Sequence, residues 1–161
     1  MKPTVAILMG SDSDAEQLKP CGEVLKEFGV PFEAKVLSAH RTPKETTAFA
    51  ESAKNEGIRV LICAAGGAAH LAGVVAAHTD LPVIGIPIET AALKGMDSLL
   101  STVQMPAGTP VATVAIGPGG VRNAAFLAVR ILALEDNKLA KALADYKEKN
   151  REKILKKQVT L

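Results

Sequence analysis

Residues 4–28 read TVAILMGSDSDAEQLKPCGEVLKEF and contain, in order, an apolar run, a glycine turn and an amphipathic segment. The run 4–9 carries no charged residue, which is typical of a strand buried on both faces of a parallel sheet. The segment 14–28 has apolar residues at helical spacing and is followed by Gly29, a common residue after a helix C-terminus. Strand, turn and helix in this order predict one unit of an open α/β sheet.

The same alternation continues along the chain. Further strands are predicted at Phe32–Leu37, Arg59–Ala64, Pro82–Pro87 and Val111–Ile116, and further helices at Pro43–Glu56, Ala69–His78, Gly120–Leu134 and Asp136–Lys156. Strands separated by helices pair in parallel through right-handed crossovers. The predicted fold is therefore a three-layer, flavodoxin-like α/β fold with a doubly wound parallel five-stranded sheet in the order 2-1-3-4-5 and C-terminal helices. We expect a single domain, 1–161, with the sheet and crossover helices in 1–134 and a helical extension in 135–161.

Residues 93–110 interrupt this alternation. Within them, the stretch 98–106 predicts a short helix that runs into a rigid turn, and its composition is too apolar for a helix exposed to water. Two interpretations stay open: the segment packs on its own sheet, or it covers a neighbouring subunit. The last predicted helix leaves the same choice, because Leu139, Leu143 and Tyr146 share one of its faces.

Composition narrows the classes of function. The 19 Lys and Arg residues nearly balance the 17 Asp and Glu residues, so neither nucleic-acid nor membrane binding is expected. Hydrophobic residues make up 48% of the chain but aromatic residues only 3%, which leaves little material for stacking on a flavin or on single-stranded nucleic acid. Cys21 and Cys63 form no disulfide or zinc motif. We expect a soluble, cytoplasmic protein without a metal site.

Polar and glycine-rich sequences follow the first three predicted strands. They are GSDSD at 10–14, SAHRTP at 38–43 and AGGAAHL at 65–71. The carboxyl ends of parallel strands lie at one edge of a sheet, and strands 2, 1 and 3 are neighbours in the predicted order. We therefore expect the three loops to line one crevice.

The first loop suits an anion. Gly10 permits a close backbone approach, and a helix that begins near Ser13 presents free N–H groups. Ser11 and Ser13 add hydroxyl donors, and Asp14 adds an acceptor for sugar hydroxyls. The stretch Ser13–Glu16 also fits a capping box, which needs no ligand. Both interpretations stay open at this point.

The second loop sets a histidine beside an arginine. His40 can act as general acid and general base in one cycle, and Arg41 offers a fork of donors for a phosphate or carboxylate. Thr42–Glu45 fits a capping box with proline at the first helical position, which explains those residues without a ligand. His40 and Arg41 precede that motif, and they are the candidate acid–base residue and anion clamp.

The third loop lacks side-chain bulk. Gly66, Gly67 and Ala68 let a flat ligand lie against the backbone, although their spacing matches neither a dinucleotide fingerprint nor a P-loop. His70, just before Leu71, has two interpretations, contact with a ligand carboxylate or a helix cap. An anion cradle, one acid–base histidine and this backbone wall together predict proton transfer on a small phosphorylated ligand.

These motifs, with VQMPAGTPVATVAIG at 103–117 and the helix start at 123–125, closely resemble the class I N5-carboxyaminoimidazole ribonucleotide mutases of bacterial purine biosynthesis. The likeness covers essentially the whole chain in order, and SAHRTP with AGGAAHL is its most specific part. A related class, the aminoimidazole ribonucleotide carboxylases that use carbon dioxide directly, shares the SAHR stretch but usually departs from GGAAHL. The chain is therefore identified as a member of the mutase class within the phosphoribosylaminoimidazole carboxylase catalytic subunit family.

The resemblance implies a cofactor-free reaction, in which a carboxylate moves from the exocyclic nitrogen to ring carbon four with His40 as acid–base residue. It implies that the 66–71 loop lines the carboxylate and imidazole pocket and that neighbouring subunits of a homo-octamer complete each site. By the same resemblance, the ribose phosphate is bound by Ser11, Asp14 and Arg41, assisted by Ser13 and Ser38. Two alternatives stay open: a carboxylase acting on aminoimidazole ribonucleotide plus carbon dioxide, and a sugar-phosphate binding module without catalysis.

Overall fold

The structure, a computed structural model, describes residues 2–159. Within that range one sheet of five parallel strands has the order β2-β1-β3-β4-β5, so the predicted topology is confirmed. The predicted domain ends at residues 1 and 161 lie outside the described residues. The strands are β1 Val5–Met9, β2 Phe32–Val36, β3 Val60–Gly66, β4 Val83–Ile88 and β5 Ala112–Thr113. The helices are α1 Ala15–Glu27, α2 Pro43–Glu56, α3 Leu71–Ala77, α4 Met96–Val103, α5 Pro118–Leu132 and α6 Asn137–Leu155.

Side chains of the central strands alternate between two separate cores, one on each face of the sheet. On β1, Val5, Ile7 and Met9 face a core shared with α1 and α5. Ala6 and Leu8 face the opposite core, which α2 and α3 complete. Because helices cover both faces, β1 is buried at every position, and its sequence is apolar throughout.

The boundaries of the C-terminal elements differ from the prediction in one respect. Strand β5 pairs with β4 only at Ala112 and Thr113, although the apolar run continues to Ile116. The chain turns away at Gly117, whose φ of 86° suits glycine, and α5 begins there. A Cβ added at Gly120 would lie 1.6 Å from the backbone oxygen of Ala115, so the first turn of α5 packs directly on the segment that connects it to β5.

Helix α4 lies flat against β4. A Cβ added at Gly85 would lie 2.4 Å from Cγ2 of Thr102, so glycine at this position permits the close approach. Ser98 and Thr102 are buried on the inner face. The outer face of α4 and the turn before it carry exposed apolar side chains, here called the outer stripe: Leu93 in the turn, and Met96, Leu100 and Val103 in the helix. The segment therefore packs on its own sheet, and its outer stripe stays uncovered within the described residues.

Helix α6 docks on its own chain. Leu139 and Leu143 pack against the core beside α5, and the Tyr146 ring lies 4.9 Å from Phe126 and 5.7 Å from Phe28, measured between centroids. Its start is fixed by the Asp136 side chain, which accepts hydrogen bonds from two backbone N–H groups of the first turn. Among residues 2–159, no helix has both the length and the apolar character needed to cross a bilayer.

Candidate active site

A cavity of about 320 Å³ opens at the carboxyl edge of the sheet, where β1 lies between β2 and β3. This is the point at which the strand order reverses, the usual ligand position in a doubly wound sheet. Its lining comes from three loops and consists of Gly10, Ser11, Asp14, Ser38, Ala39, His40, Arg41, Ala65, Gly66, Ala68, His70 and Leu71. The strand order thus brings the three loops to one crevice.

Two predicted site residues, Ser13 and Gly67, do not line this cavity. The Ser13 hydroxyl, within the first loop, donates to Oγ of Ser11 at 2.8 Å. The N–H of Gly67 points away from the cavity towards α4. Conversely, Ala39 and Ala65 line the cavity with small side chains but were not among the predicted site residues.

The first loop contains a 3₁₀ turn, Asp12–Asp14, between β1 and α1. Ser11 caps this turn, because its backbone is extended and its hydroxyl accepts from the N–H of Ser13 at 3.3 Å. The capping box predicted for Ser13–Glu16 is therefore wrong. The extra turn moves the start of α1 to Ala15, where the preceding residue makes no side-chain capping bond.

Asp14 is half-buried at the rim of the cavity. Loss of water around the carboxyl raises its pKa above the ordinary 3.8, while hydrogen bonds from the Ser11 backbone and the Ser13 hydroxyl, and the Arg41 charge, oppose that rise. A partly desolvated carboxylate gains from any hydroxyl donor that enters the cavity. Asp14 is thus suited to a ligand that carries hydroxyl groups.

Arg41 joins the ends of β1 and β2. Its guanidinium donates to the Gly10 carbonyl, and its Nε donates to Oγ of Ser38 at 3.4 Å. The same Ser38 hydroxyl, which is buried, accepts from the N–H of Arg41 at 3.2 Å. These contacts fix the cation at the cavity while the guanidinium keeps further N–H donors for an anion.

The second loop closes on itself through Thr42. The Thr42 hydroxyl accepts from the N–H of Ser38 at 2.9 Å and donates to the Ser38 carbonyl at 3.1 Å. Thr42 stands at the N-cap of α2, with Pro43 in the first turn as predicted, but it makes no capping bond. The predicted capping box Thr42–Glu45 is therefore wrong, because the hydroxyl is used to close the loop that carries His40.

His40 and His70 form a direct pair across the cavity. Nε2 of His40 lies 2.8 Å from Nδ1 of His70, and the rings meet edge to face with centroids 4.9 Å apart. Both rings are exposed to the cavity rather than buried in the core. His70 stands at the N-cap of α3 without a side-chain capping bond, so the interpretation of His70 as a helix cap is wrong.

The contact between the two rings needs one donor and one acceptor. When the Nε2–H of a neutral His40 donates a hydrogen bond to Nδ1 of His70, Nδ1 of His40 carries no proton. That nitrogen can accept a proton from a ligand, and the charged ring is then still a donor to His70. The opposite arrangement, with Nδ1 of His70 as donor, would place the His40 proton on Nδ1. Only the first arrangement leaves Nδ1 of His40 free to act as a base, with His70 as the orienting partner found in other acid–base sites.

The chain resembles known proteins along nearly its whole length. The sequence profile of the AIR carboxylase family matches residues 4–153. The chain belongs to the AIR carboxylase family. A crystal structure of PurE from Treponema denticola has a TM-score of 0.85 at 30% identity and covers 95% of this chain and 94% of that one. The resemblance drawn from the sequence motifs is confirmed.

Two curated relatives carry different names. The N5-carboxyaminoimidazole ribonucleotide mutase of Bacillus subtilis (strain 168) is 52% identical over 155 residues, which is 96% of each chain. The phosphoribosylaminoimidazole carboxylase of Saccharomyces cerevisiae is 52% identical over 157 residues, 98% of this chain but only 27% of the yeast protein. The mutase relative thus matches this family member end to end, whereas the yeast name describes a much longer protein.

The third loop of this family member is held from behind by α4. Oγ of Ser98 accepts from the Gly67 N–H at 2.9 Å and donates to the Ile88 carbonyl at 2.6 Å. The Thr102 hydroxyl donates to the Ser98 carbonyl at 2.7 Å within α4 and also lies 3.4 Å from the Ala69 carbonyl. These two residues were not predicted from the sequence, although hydroxyls at positions i and i+4 of an apolar helix indicate that one of its faces makes hydrogen bonds.

The two cysteines and the third histidine lie apart from the cavity lining. Burial raises the pKa of the Cys21 thiol to about 12 and raises the pKa of Cys63 further still. Neither thiol is therefore a thiolate nucleophile near neutral pH. His78 is exposed and bonds Glu51 at 3.0 Å, as expected of a surface histidine.

Proposed function

We propose that this chain is an N5-carboxyaminoimidazole ribonucleotide mutase of de novo purine biosynthesis, which moves a carboxylate from the exocyclic nitrogen to ring carbon four. One observation carries the proposal: His40, paired with His70, shares a cavity at the sheet's switch point with Arg41 and a wall of glycine and alanine residues. The cavity of about 320 Å³ falls within the range of small-ligand pockets, roughly 300–1,000 Å³. The full-length mutase relative supports the same assignment.

The ribose phosphate is assigned to the first two loops. Arg41 supplies the positive charge, and the Ser11 loop supplies hydroxyl and backbone donors next to the start of α1. Asp14 accepts from the ribose hydroxyls. Ser38 and Ser13 serve indirectly, since the first holds Arg41 and the second bonds Ser11.

The imidazole and its carboxylate are assigned to the third loop. Gly66 and Ala68 present backbone rather than bulk to the cavity, and the buried Leu71 side chain adds an apolar floor. Such a floor holds carbon dioxide, which is apolar and small, beside the ring between the two halves of the reaction. Holding it there raises its effective concentration far above that in solution.

In the first step the bond between the exocyclic nitrogen and the carboxylate carbon breaks. Its electron pair stays on nitrogen, charged His40 donates the Nδ1 proton to that nitrogen, and carbon dioxide is released into the pocket. Aminoimidazole ribonucleotide and neutral His40 remain. In both charge states Nε2 of His40 is assigned as the donor to His70, which leaves Nδ1 for the exchange of protons with the ligand.

In the second step ring carbon four attacks the carbon dioxide and a carbon–carbon bond forms. Neutral His40 then removes the proton from carbon four, which restores the aromatic ring and returns His40 to its starting charge. Atoms and charges balance over the cycle with one imidazole as both acid and base.

The direct carboxylase is the second candidate, because it uses only the second step. The yeast relative that bears the carboxylase name matches this chain over just 27% of its length, so it does not favour that candidate. To separate the two candidates, purified protein is supplied with N5-carboxyaminoimidazole ribonucleotide in one trial and with aminoimidazole ribonucleotide plus bicarbonate in another. A mutase converts the first substrate, whereas a direct carboxylase converts only the second. A binding module would retain the nucleotide in both trials without converting it.

Substitution His40→Asn tests the mechanism, and His78→Asn is its control because His78 lies outside the cavity lining. We expect His40→Asn to bind the nucleotide in calorimetric titrations and to lose turnover by on the order of 10²–10⁴-fold or more. The control should keep wild-type rates. Wild-type turnover by His40→Asn would rule out His40 as the acid–base residue.

Self-association into a homo-octamer with shared sites is part of the proposal. It is supported by the outer stripe of α4, where Leu93, Met96 and Leu100 are each more than half exposed, which is unusual for a row of large apolar side chains. The predicted cytoplasmic location stays a prediction from the sequence.

A further inference from the structure

The buried face of α4 controls the backbone of the third loop. Ser98 is 0% exposed, yet its hydroxyl has two backbone partners from different elements. It accepts from the N–H of Gly67 at 2.9 Å and donates to the carbonyl of Ile88, the last residue of β4, at 2.6 Å. One side chain therefore fixes the loop relative to the sheet.

The loop beyond Gly67 is a tightly turned chain with little freedom of its own. Gly67 has a φ of 67°, and the N–H of Ala69 donates back to the Gly67 carbonyl at 2.8 Å. The N–H of His70 makes the same kind of bond to Ala68 at 2.8 Å. Because these short turns leave few free backbone torsions, the position of Gly67 sets the position of the His70 backbone, from which the ring reaches His40.

We propose that Ser98 is a positioning residue for the His40–His70 pair. It acts through two contacts that the loop backbone connects. The first joins Ser98 Oγ to the Gly67 N–H at 2.9 Å, and the second joins His70 Nδ1 to His40 Nε2 at 2.8 Å. A displaced Gly67 moves His70 away from His40, and His40 then loses the partner that selects its tautomer. The effect on turnover rests on the proposed function, whereas the effect on the two rings does not.

The histidine content makes the rings directly observable. The chain has three histidines, and the third, His78, bonds Glu51 and is not part of the cavity lining. Nitrogen-15 labelling of histidine in the full chain, followed by long-range proton–nitrogen correlation spectra at about pH 8, where free histidine is neutral, reports the tautomer of each ring. His78 serves as the internal reference, and His70→Gln assigns the signals.

Three variants at one position separate hydrogen bonding from packing. Ser98→Ala removes the hydroxyl, Ser98→Cys keeps the size but bonds poorly, and Ser98→Thr keeps the hydroxyl. We expect wild-type protein and Ser98→Thr to show His40 protonated at Nε2 alone. Ser98→Ala and Ser98→Cys should show a mixture of tautomers for His40 and His70, with the His78 signals unchanged.

The matched control is Ser52→Ala, which removes a hydroxyl that bonds the Glu56 carboxylate at 2.7 Å and the Phe49 carbonyl at 3.3 Å, both within α2. It should leave all three histidine signals unchanged. Unchanged His40 and His70 signals in a folded Ser98→Ala or Ser98→Cys would overturn the proposal. Should Ser98→Ala not fold, Ser98→Cys decides the matter by the same criterion.

Turnover provides the second readout. A shift of the His70 ring by about 1 Å should lower kcat on the order of 10²-fold, with a smaller change in KM, because phosphate contacts lie on the other two loops. The kcat of Ser98→Thr should stay near wild type. A wild-type protein without mutase activity would refute the proposed function and leave the spectroscopic test of Ser98 intact, while altered rings with unaltered kcat would refute positioning for catalysis.

Discussion

Substitution Gly85→Ala tests how closely α4 is held to the sheet. Gly85 lies in β4, and the added Cβ would stand 2.4 Å from Cγ2 of Thr102 and 2.9 Å from Cγ1 of Val111. Real Cβ contacts are close to 3.4 Å or longer, so the helix or the Thr102 side chain must move. Thr102 is 2% exposed and has no empty space to enter, which leaves a shift of α4 away from β4 as the main response.

Forcing a methyl group into a packed interior costs about 1–3 kcal/mol of unfolding free energy. For a chain of this length, that loss corresponds to a fall in Tm of roughly 2–12 °C. Removal of the opposing methyl by Thr102→Ser costs roughly 1 kcal/mol by itself, since it deletes one buried carbon and keeps the hydroxyl. The double variant removes the closer of the two clashes and leaves the one with Val111, so its loss should still be smaller than the sum of the two single losses, by about 0.5–3 kcal/mol.

The assay is chemical denaturation of the four proteins at one fixed concentration, because the proposed self-association would add to apparent stability. Gly119→Ala is the control, since Gly119 lies in the first turn of α5 with nothing within 4 Å of the added Cβ. It should be neutral or slightly stabilising. Additive losses in the double variant would refute the claim that contact with Thr102 is what makes glycine necessary at position 85.

Two further predictions concern charge and association. Asp14→Asn should raise the unfolding free energy at pH 7 and have little effect below pH 3.8. The reason is that burial raises the pKa of the Asp14 carboxyl, so the folded protein holds that proton more tightly than the unfolded chain does. Wild-type stability is therefore lost as pH rises through and above 3.8, and the variant avoids that loss. Equal differences at pH 3 and pH 7 in denaturation curves would contradict it. Leu100→Lys, on the outer stripe, should shift sedimentation velocity towards smaller species, whereas Leu134→Lys, at an 85% exposed leucine outside α4, should not; a monomeric wild-type protein would contradict the association itself.

The fold could be predicted from sequence because its strongest signals are local. Apolar runs such as residues 4–9 are buried on both faces, and glycines mark the ends of α1 and α2. β5 was overpredicted because its apolar composition continues to Ile116, while pairing depends on where the chain must turn to start α5. Both predicted capping boxes were wrong for a related reason. The hydroxyls of Ser13 and Thr42 bond other residues of their own loops, and the capping motif does not encode those contacts.

The composition of the candidate site was visible in the sequence, but its internal contacts were not. The order 2-1-3 requires the three loops to meet, so His40, Arg41 and Asp14 could be assigned to one crevice before any coordinates. The pairing of His40 with His70 joins residues 30 positions apart and depends on ring orientation. The bond from Ser98 to Gly67 depends on where α4 lies, and the helix lies there because Gly85 has no side chain.

The two faces of α4 give a physical reason to expect that the proposed catalysis and the proposed self-association are linked in this chain. The inner face holds Gly67 through a buried hydroxyl, and the outer stripe leaves Leu100 and Met96 in water. A helix of eight residues that contacts its own sheet on one side has little to resist small shifts. A neighbouring subunit that covers the outer stripe would press α4 onto β4 and fix the Ser98 contact. In that case Gly85→Ala would disturb the contact between Ser98 and Gly67 most strongly when the protein is dilute.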